Sequence, residues 1–330
     1  MKKIVFLVFS SLILLFTSVT AQKQDLYFLK NNGDYVKNAD SADFIRTVQE
    51  PEKRSKLYPV LEVYMNGTRK SYGYSSMLDK PVYEGRFISF FENGRKKQIS
   101  SYLKGKLTDT AYNHFPNGKL YTTLYYEQSG DSSIVYVKSV NDSTGAAMVT
   151  DGNGYAVLYD DDFTYVTGKG NVKNGKYDGE WTGELRTTDT LRYKEVYAEG
   201  KMLSGESIDA KGNVYHYTIS DEKPKFKGGI KAFHKQVFRE FKARELVRRG
   251  IQGVAQVKCV ILTSGEISDV QVTNDVDYEL AAEAIRVIKL QKGWQPARIK
   301  GRVVDMSQTF PISIHFTSTN TIETGRLLFF

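Results

Sequence analysis

The sequence predicts a mainly β N-terminal array of stacked β-hairpins, followed by a small α+β C-terminal domain with an antiparallel sheet and two helices. Three observations predict this. Turn signatures return at near-constant spacing: Asn93-Gly94-Arg95 to Asn117-Gly118-Lys119 after 24 positions, and Asn174-Gly175-Lys176 to Glu199-Gly200-Lys201 after 25. Aromatic-rich runs of strand length lie between such turns, at 87–91, 120–126, 134–140, 155–159 and 193–197. Beyond Ser220, apolar residues take up helical spacing at Ile230, Phe233, Val237 and Phe241, and again at Ala281, Ala284, Ile285 and Ile288.

Taken in order, residues 1–21 carry Lys2-Lys3, an apolar run from Ile4 to Phe16 and Val19-Thr20-Ala21 before Gln22. That is the layout of a cleaved secretory signal, because the run is short against the roughly 20 residues a spanning helix needs. It places the chain in the periplasm or cell envelope. An uncleaved anchor is the alternative. Residues 22–80 read as an opening β segment, with a short helix expected over 41–48 and a strand from Tyr58 to Met65 ahead of the Asn66-Gly67 turn. Residues 81–219 form the repeats. Each hairpin is too small to bury its own face, so neighbours must pack edge to edge.

Residues 220–227 read as a polar linker, 228–317 as the C-terminal domain and 318–330 as a polar tail that is disordered or a docking end. One helix is expected from Gly228-Gly229 to about Arg249. Lys235, Arg239 and Lys242 share a face of it, solvated or set against an anionic surface. Val254 to Leu262 and Ile267 to Thr273 read as a hairpin, with Cys259 alternating with Val257 and Ile261 as a core residue. Asp277 is placed to cap the next helix, which Trp294-Gln295-Pro296 ends. The last strand, Arg302 to Phe316, carries Pro311, which has no amide for a ladder. The strand is therefore expected at a sheet edge. The predicted partner-binding residues are Thr309, Pro311, Ile312, Ser313, Ile314 and His315, with main-chain groups giving affinity and Thr309, Ser313 and His315 facing the visitor.

Tyr83-Glu84-Gly85, Phe90-Phe91-Glu92-Asn93-Gly94, Gly152-Asn153-Gly154 and the run from Asn174 to Trp181 resemble MORN-type repeats, in the variant labelled YwqK-like antitoxin repeats. The resemblance implies an extended binding surface or spacer. Lys223-Pro224-Lys225-Phe226-Lys227-Gly228-Gly229 with Phe233, Gly250-Ile251-Gln252-Gly253-Val254, Thr263 to Val270, Glu283-Ala284-Ile285-Arg286, Trp294-Gln295-Pro296-Ala297 with Gly301, and Phe310-Pro311-Ile312 together resemble the TonB C-terminal domain family in its Bacteroidetes-type form. The resemblance implies a domain that adds a peptide strand to its edge, as in the family's contact with outer-membrane receptors.

Motifs of other classes are disfavoured, and an enzymatic reading would need a pocket with perturbed carboxylates. His114, His216, His234 and His315 lack ligand spacing, so neither a metal nor a cofactor is expected. Asp151-Gly152-Asn153-Gly154 with Asp160-Asp161-Asp162 lacks the order of a calcium loop, and Gly168-Lys169-Gly170, between strands, lacks that of a phosphate loop. No catalytic residue and no nucleic-acid partner is expected from a formal charge of +8 without a long basic run. The expected function is an exported binding module that captures a protein or peptide partner on the edge strand, the repeats serving as spacer or second surface. A TonB-type energy transducer held by the uncleaved segment, in contact with the membrane through it, is the alternative. The same edge could also pair with itself in a homodimer.

Overall fold

The computed structural model describes residues 24–78, 80–130, 132–187, 189–274, 276–315 and 326–328; the predicted signal segment and most of the tail lie outside them. The chain divides into two compact units, at Thr150 and Asp151. Among the described residues no helix is long and apolar enough to cross a membrane.

In the first unit β1 (Gln24–Leu29) pairs antiparallel with β2 (Tyr35–Val36) and with β3 (Phe44–Gln49). From β3 an antiparallel meander continues through β4 (Tyr58–Tyr64), β5 (Arg69–Ser75), β6 (Tyr83–Phe90), β7 (Lys96–Leu103), β8 (Lys106–His114), β9 (Leu120–Ser129), β10 (Ser132–Asn141) and β11 (Ala147–Thr150). The helix expected over 41–48 is not formed. A 3-10 turn at Ala39–Ser41, capped by the Asn38 side chain, leads directly into β3. There β-branched Ile45, Thr47 and Val48 pair with both neighbouring strands, and that pairing outweighs a weak local helical preference.

The repeats close on two kinds of turn. Gly94, Gly118 and Gly145 each donate to a carbonyl three residues back and hold φ of 81°, 86° and 92°. The Asn93 and Asn117 side chains each accept from the amide two residues on, at 3.0 and 2.9 Å, and donate to the following turn's carbonyl, Pro116 at 3.0 Å and Ser143 at 2.9 Å. Asn174-Gly175 and Glu199-Gly200 instead have positive φ at both positions, the two-residue turn that matches strand twist.

The second unit opens with a meander of β12 (Asn153–Tyr159), β13 (Val166–Lys173), β14 (Lys176–Arg186), β15 (Thr190–Ala198), β16 (Lys201–Ile208) and β17 (Val214–Tyr217). Gly168 and Gly170 lie inside β13, not between strands as expected. A side chain at Gly170 would overlap the indole of Trp181, which is 2% exposed and donates to the Asn171 carbonyl at 2.9 Å.

The C-terminal part follows without a free linker. β18 (Asp221–Glu222) and β19 (Lys225–Phe226) occupy the segment expected to be one. Next come α1 (Gly229–Glu240), α2 (Ala243–Arg248), β20 (Gly253–Ile261), β21 (Ile267–Val272) and α3 (Tyr278–Lys289). The chain ends in β22 (Trp294–Gln295), β23 (Ala297–Ile299), β24 (Arg302–Val304), β25 (Met306–His315) and β26 (Arg326–Leu328). β19 pairs with β22, and β18, β23 and β24 form a three-stranded sheet.

The single helix expected to Arg249 is two. Phe241 is extended, and the groups this break frees are met from α3: Arg286 donates to the Glu240 carbonyl at 2.6 Å and Glu283 accepts from the Lys242 amide at 2.7 Å. Asp277 caps α3 as expected, accepting from the amides of Glu279 and Leu280. The buried stripe of α3 is Leu280, Ala284, Val287 and Ile288; Ala281 and Ile285 are half-buried. Trp294 does not end the helix but stands in β22, its ring 5.2 Å from those of Phe226 and Phe233 and 5.5 Å from that of Phe310.

One joint ties this part to the last repeats. The β23–β24 turn carries Lys300, whose ammonium lies 2.7 Å from the Glu195 carboxylate and 3.8 Å from the Tyr193 ring centroid. Glu195 also accepts from the phenols of Tyr217 and Tyr197, at 2.9 and 3.0 Å. Ser207 donates to the Lys300 carbonyl at 2.7 Å, and Arg302 pairs with Asp189 at 2.9 Å.

Candidate functional site

The site is built on β25. Inside it, Phe310, Ile312 and Ile314 are buried against a core shared with Phe233 and Val237 of α1 and with Val257 and Cys259 of β20. Burial alone pushes the Cys259 thiol up to about 11, which suits a packing residue and not a nucleophile. Beside the helix break, burial opposes ionisation of Glu283, yet the Arg286 guanidinium and the Lys242 amide hold its carboxyl below the ordinary range.

The sheet runs β21-β20-β25-β26. On one side β25 pairs with β20 throughout, from Met306 opposite Ile261 to Ile314 opposite Gly253. On the other side β26 places Leu328, Leu327 and Arg326 opposite Ser313, Ile314 and His315. Among the described residues the last strand is therefore an open edge over 306–312 only, and β26 closes the rest. This corrects the expectation of a rim unpaired along its whole length.

Backbone direction on the open part follows from β20. Gln256 accepts from the Thr273 amide at 2.9 Å, and its own amide donates to the Asn274 side chain at 2.7 Å, so its polar groups point away from β25. Pro311, opposite Gln256, then also points its backbone groups away from β20, toward the rim, where its missing amide costs no ladder bond. By the same alternation Thr309 and Ser307 offer amide and carbonyl to the rim, whereas Phe310, Ile312 and Ile314 turn theirs inward to β20. The Ser307 carbonyl already accepts from the Gln308 side chain at 2.8 Å.

Of the predicted residues, Thr309 is exposed and Pro311 half-buried, both on the open rim. Ile312, Ser313 and Ile314 are buried, so Ser313 is not presented to a visitor as expected. His315 lies at the closed end, opposite Arg326. Sequence reasoning missed Ser307, whose signal was available: it shares the odd-numbered alternation of Thr309 and Pro311. Among the described residues no group of three His, Cys, Asp or Glu side chains could hold a metal ion.

Residues 243–316 match the family described as Gram-negative bacterial TonB protein C-terminal. The matched span, which supports the resemblance to the TonB C-terminal family, includes the whole of β20, β21, α3 and β25. The matched family is one of Gram-negative envelope domains, known to interact with proteins such as outer-membrane receptors. No match to the chain is found among curated proteins.

Proposed function

We propose that the chain is an exported, non-catalytic envelope protein that captures an extended segment of a protein partner on the rim of β25. The hairpin array, which resembles MORN-type repeats, serves as spacer or second binding surface. The observation that carries the reading is the outward backbone of Ser307, Thr309 and Pro311 on an edge that no other described strand covers. A visitor pairing there gains main-chain bonds in register, the general means by which sheet edges bind peptides. To extend beyond Ile312 it must displace β26.

Photocrosslinking from Ser307 in cell envelopes tests this. A discrete adduct is expected; Thr309→Pro removes one rim donor and adds ring bulk, costing about 1.4 kcal/mol and about tenfold in adduct. Ending the chain at residue 317 should raise the adduct, because β26 no longer competes. An adduct indifferent to both changes sinks the mechanism. The match to the TonB family also supports an energy transducer anchored by residues 1–21. A mature chain that begins at Gln22 by mass spectrometry eliminates that reading.

A further inference from the structure

The formal charge of +8 is not shared along the chain. Ten of the 46 basic residues and two of the 38 acidic ones fall between Lys223 and Arg249, which leaves 36 of each sign for the remainder. The whole net charge therefore belongs to this span, whose longest element is α1. The inner face of α1 is spent on the core through Phe233 and Val237. Its outer face does not follow the usual polar pattern: Ile230 and Phe238 are 53% and 49% exposed. These two share the i, i+4, i+8 ridge of the helix, about 80° apart around its axis with half-buried His234 between them, and the exposed Lys231 and Lys235 occupy the adjacent ridge. Neither lysine forms an ion pair among the described residues, where the pairs at either end of α1 are Lys225 with Glu222 and Arg239 with Glu240, and exposed Lys227 adds a further cation just before the helix.

We propose that this face of α1 rests on an anionic phospholipid surface, with Ile230 and Phe238 entering the headgroup region and Lys231 and Lys235 set against the phosphates. Apolar and cationic side chains in adjacent stripes suit the boundary of a bilayer, which supplies hydrocarbon and negative charge at neighbouring depths. An acidic polypeptide satisfies the lysines but gives Phe238 no such depth. The contact differs from the one expected of residues 1–21, and uses a different surface from the rim of β25.

The test is co-sedimentation of the chain from Gln22 onward, which keeps every described residue and lacks the apolar run that would bind lipid by itself. Vesicles of phosphatidylglycerol and phosphatidylethanolamine are compared with vesicles of phosphatidylcholine. Binding to the anionic vesicles is expected to fall at least tenfold with Lys231→Glu combined with Lys235→Glu, and severalfold with Phe238→Ala, which keeps every charge. Raised salt should weaken it, since exposed charges are screened. Thr309→Pro should leave it unchanged, which separates this contact from strand capture. Circular dichroism checks that each variant is folded. Equal binding to both vesicle types, binding indifferent to the double reversal, or binding to polyglutamate but not to vesicles overturns the proposal.

Discussion

Lys300→Met removes the cation of the joint while keeping most of its aliphatic length. The side chains of Lys300 and Glu195 are 14% and 3% exposed, so the variant strands a carboxylate in a nearly dry site. Deleting one partner of such a pair costs about 3–5 kcal/mol. Two phenol bonds to Glu195 survive, which places the expected loss at the lower end, about 3 kcal/mol. With a urea slope of about 2 kcal/mol/M, the midpoint should drop by about 1.5 M. The two tryptophans make the assay local: Trp181 sits in β14 and Trp294 in β22, so Trp181→Phe leaves a reporter in the C-terminal part alone. Adding Glu195→Gln should recover most of the loss, because no buried charge then lacks its partner. A midpoint within 0.3 M of the parent for Lys300→Met, about 0.6 kcal/mol, would refute the reasoning.

Two further outcomes are expected. Cys259 is buried with its thiol raised to about 11, so a disulfide reagent at pH 8 should leave the folded chain untouched and label it stoichiometrically in denaturant; because the folded value is raised, ionisation begins to disfavour the fold once pH passes the ordinary thiol value of 9.0 and does so fully by about 11, and rapid labelling at pH 8 would contradict the burial. Glu199 holds φ of 51° in a turn whose geometry favours asparagine, so Glu199→Asn should stabilise by about 0.5–1 kcal/mol in thermal unfolding, and a loss of stability would show that the side chain serves another purpose.

Much of the architecture was legible because it is written locally. The Asn-Gly turns, the hairpin of β20 and β21, the Asp277 cap and the burial of Cys259 each depend on a few neighbouring residues. What was not legible depends on distant partners. Nothing between Gly229 and Arg248 marks the helix break, since the groups that satisfy it come from Glu283 and Arg286 on α3. The strand at 44–49 is decided by β1 and β4, not by its own spacing. At the candidate site, alternation puts Phe310, Ile312 and Ile314 on one face of the strand, and that face is the buried one. It could not tell how much of the edge stays open, because that is set by three tail residues, Arg326–Leu328, too few to leave a pattern. The joint at Lys300 was equally hidden: an exposed-looking Arg-Ile-Lys-Gly-Arg stretch gives no sign that its lysine enters a ring of tyrosines.

The asparagine turns act as a ruler for array length. Asn93 reaches the Pro116 carbonyl and Asn117 reaches that of Ser143, so each corner is tied to its successor by the same bond. Arg95 lies against Gly118 and Lys119 against Gly145, which repeats the fit one corner later. Excising residues 94–117 would bring Asn93 onto Gly118 and leave it facing the carbonyl that Asn117 now holds. Whole corners could be lost or duplicated in this way without creating a new kind of contact, whereas a cut of any other length would leave a mismatched seam.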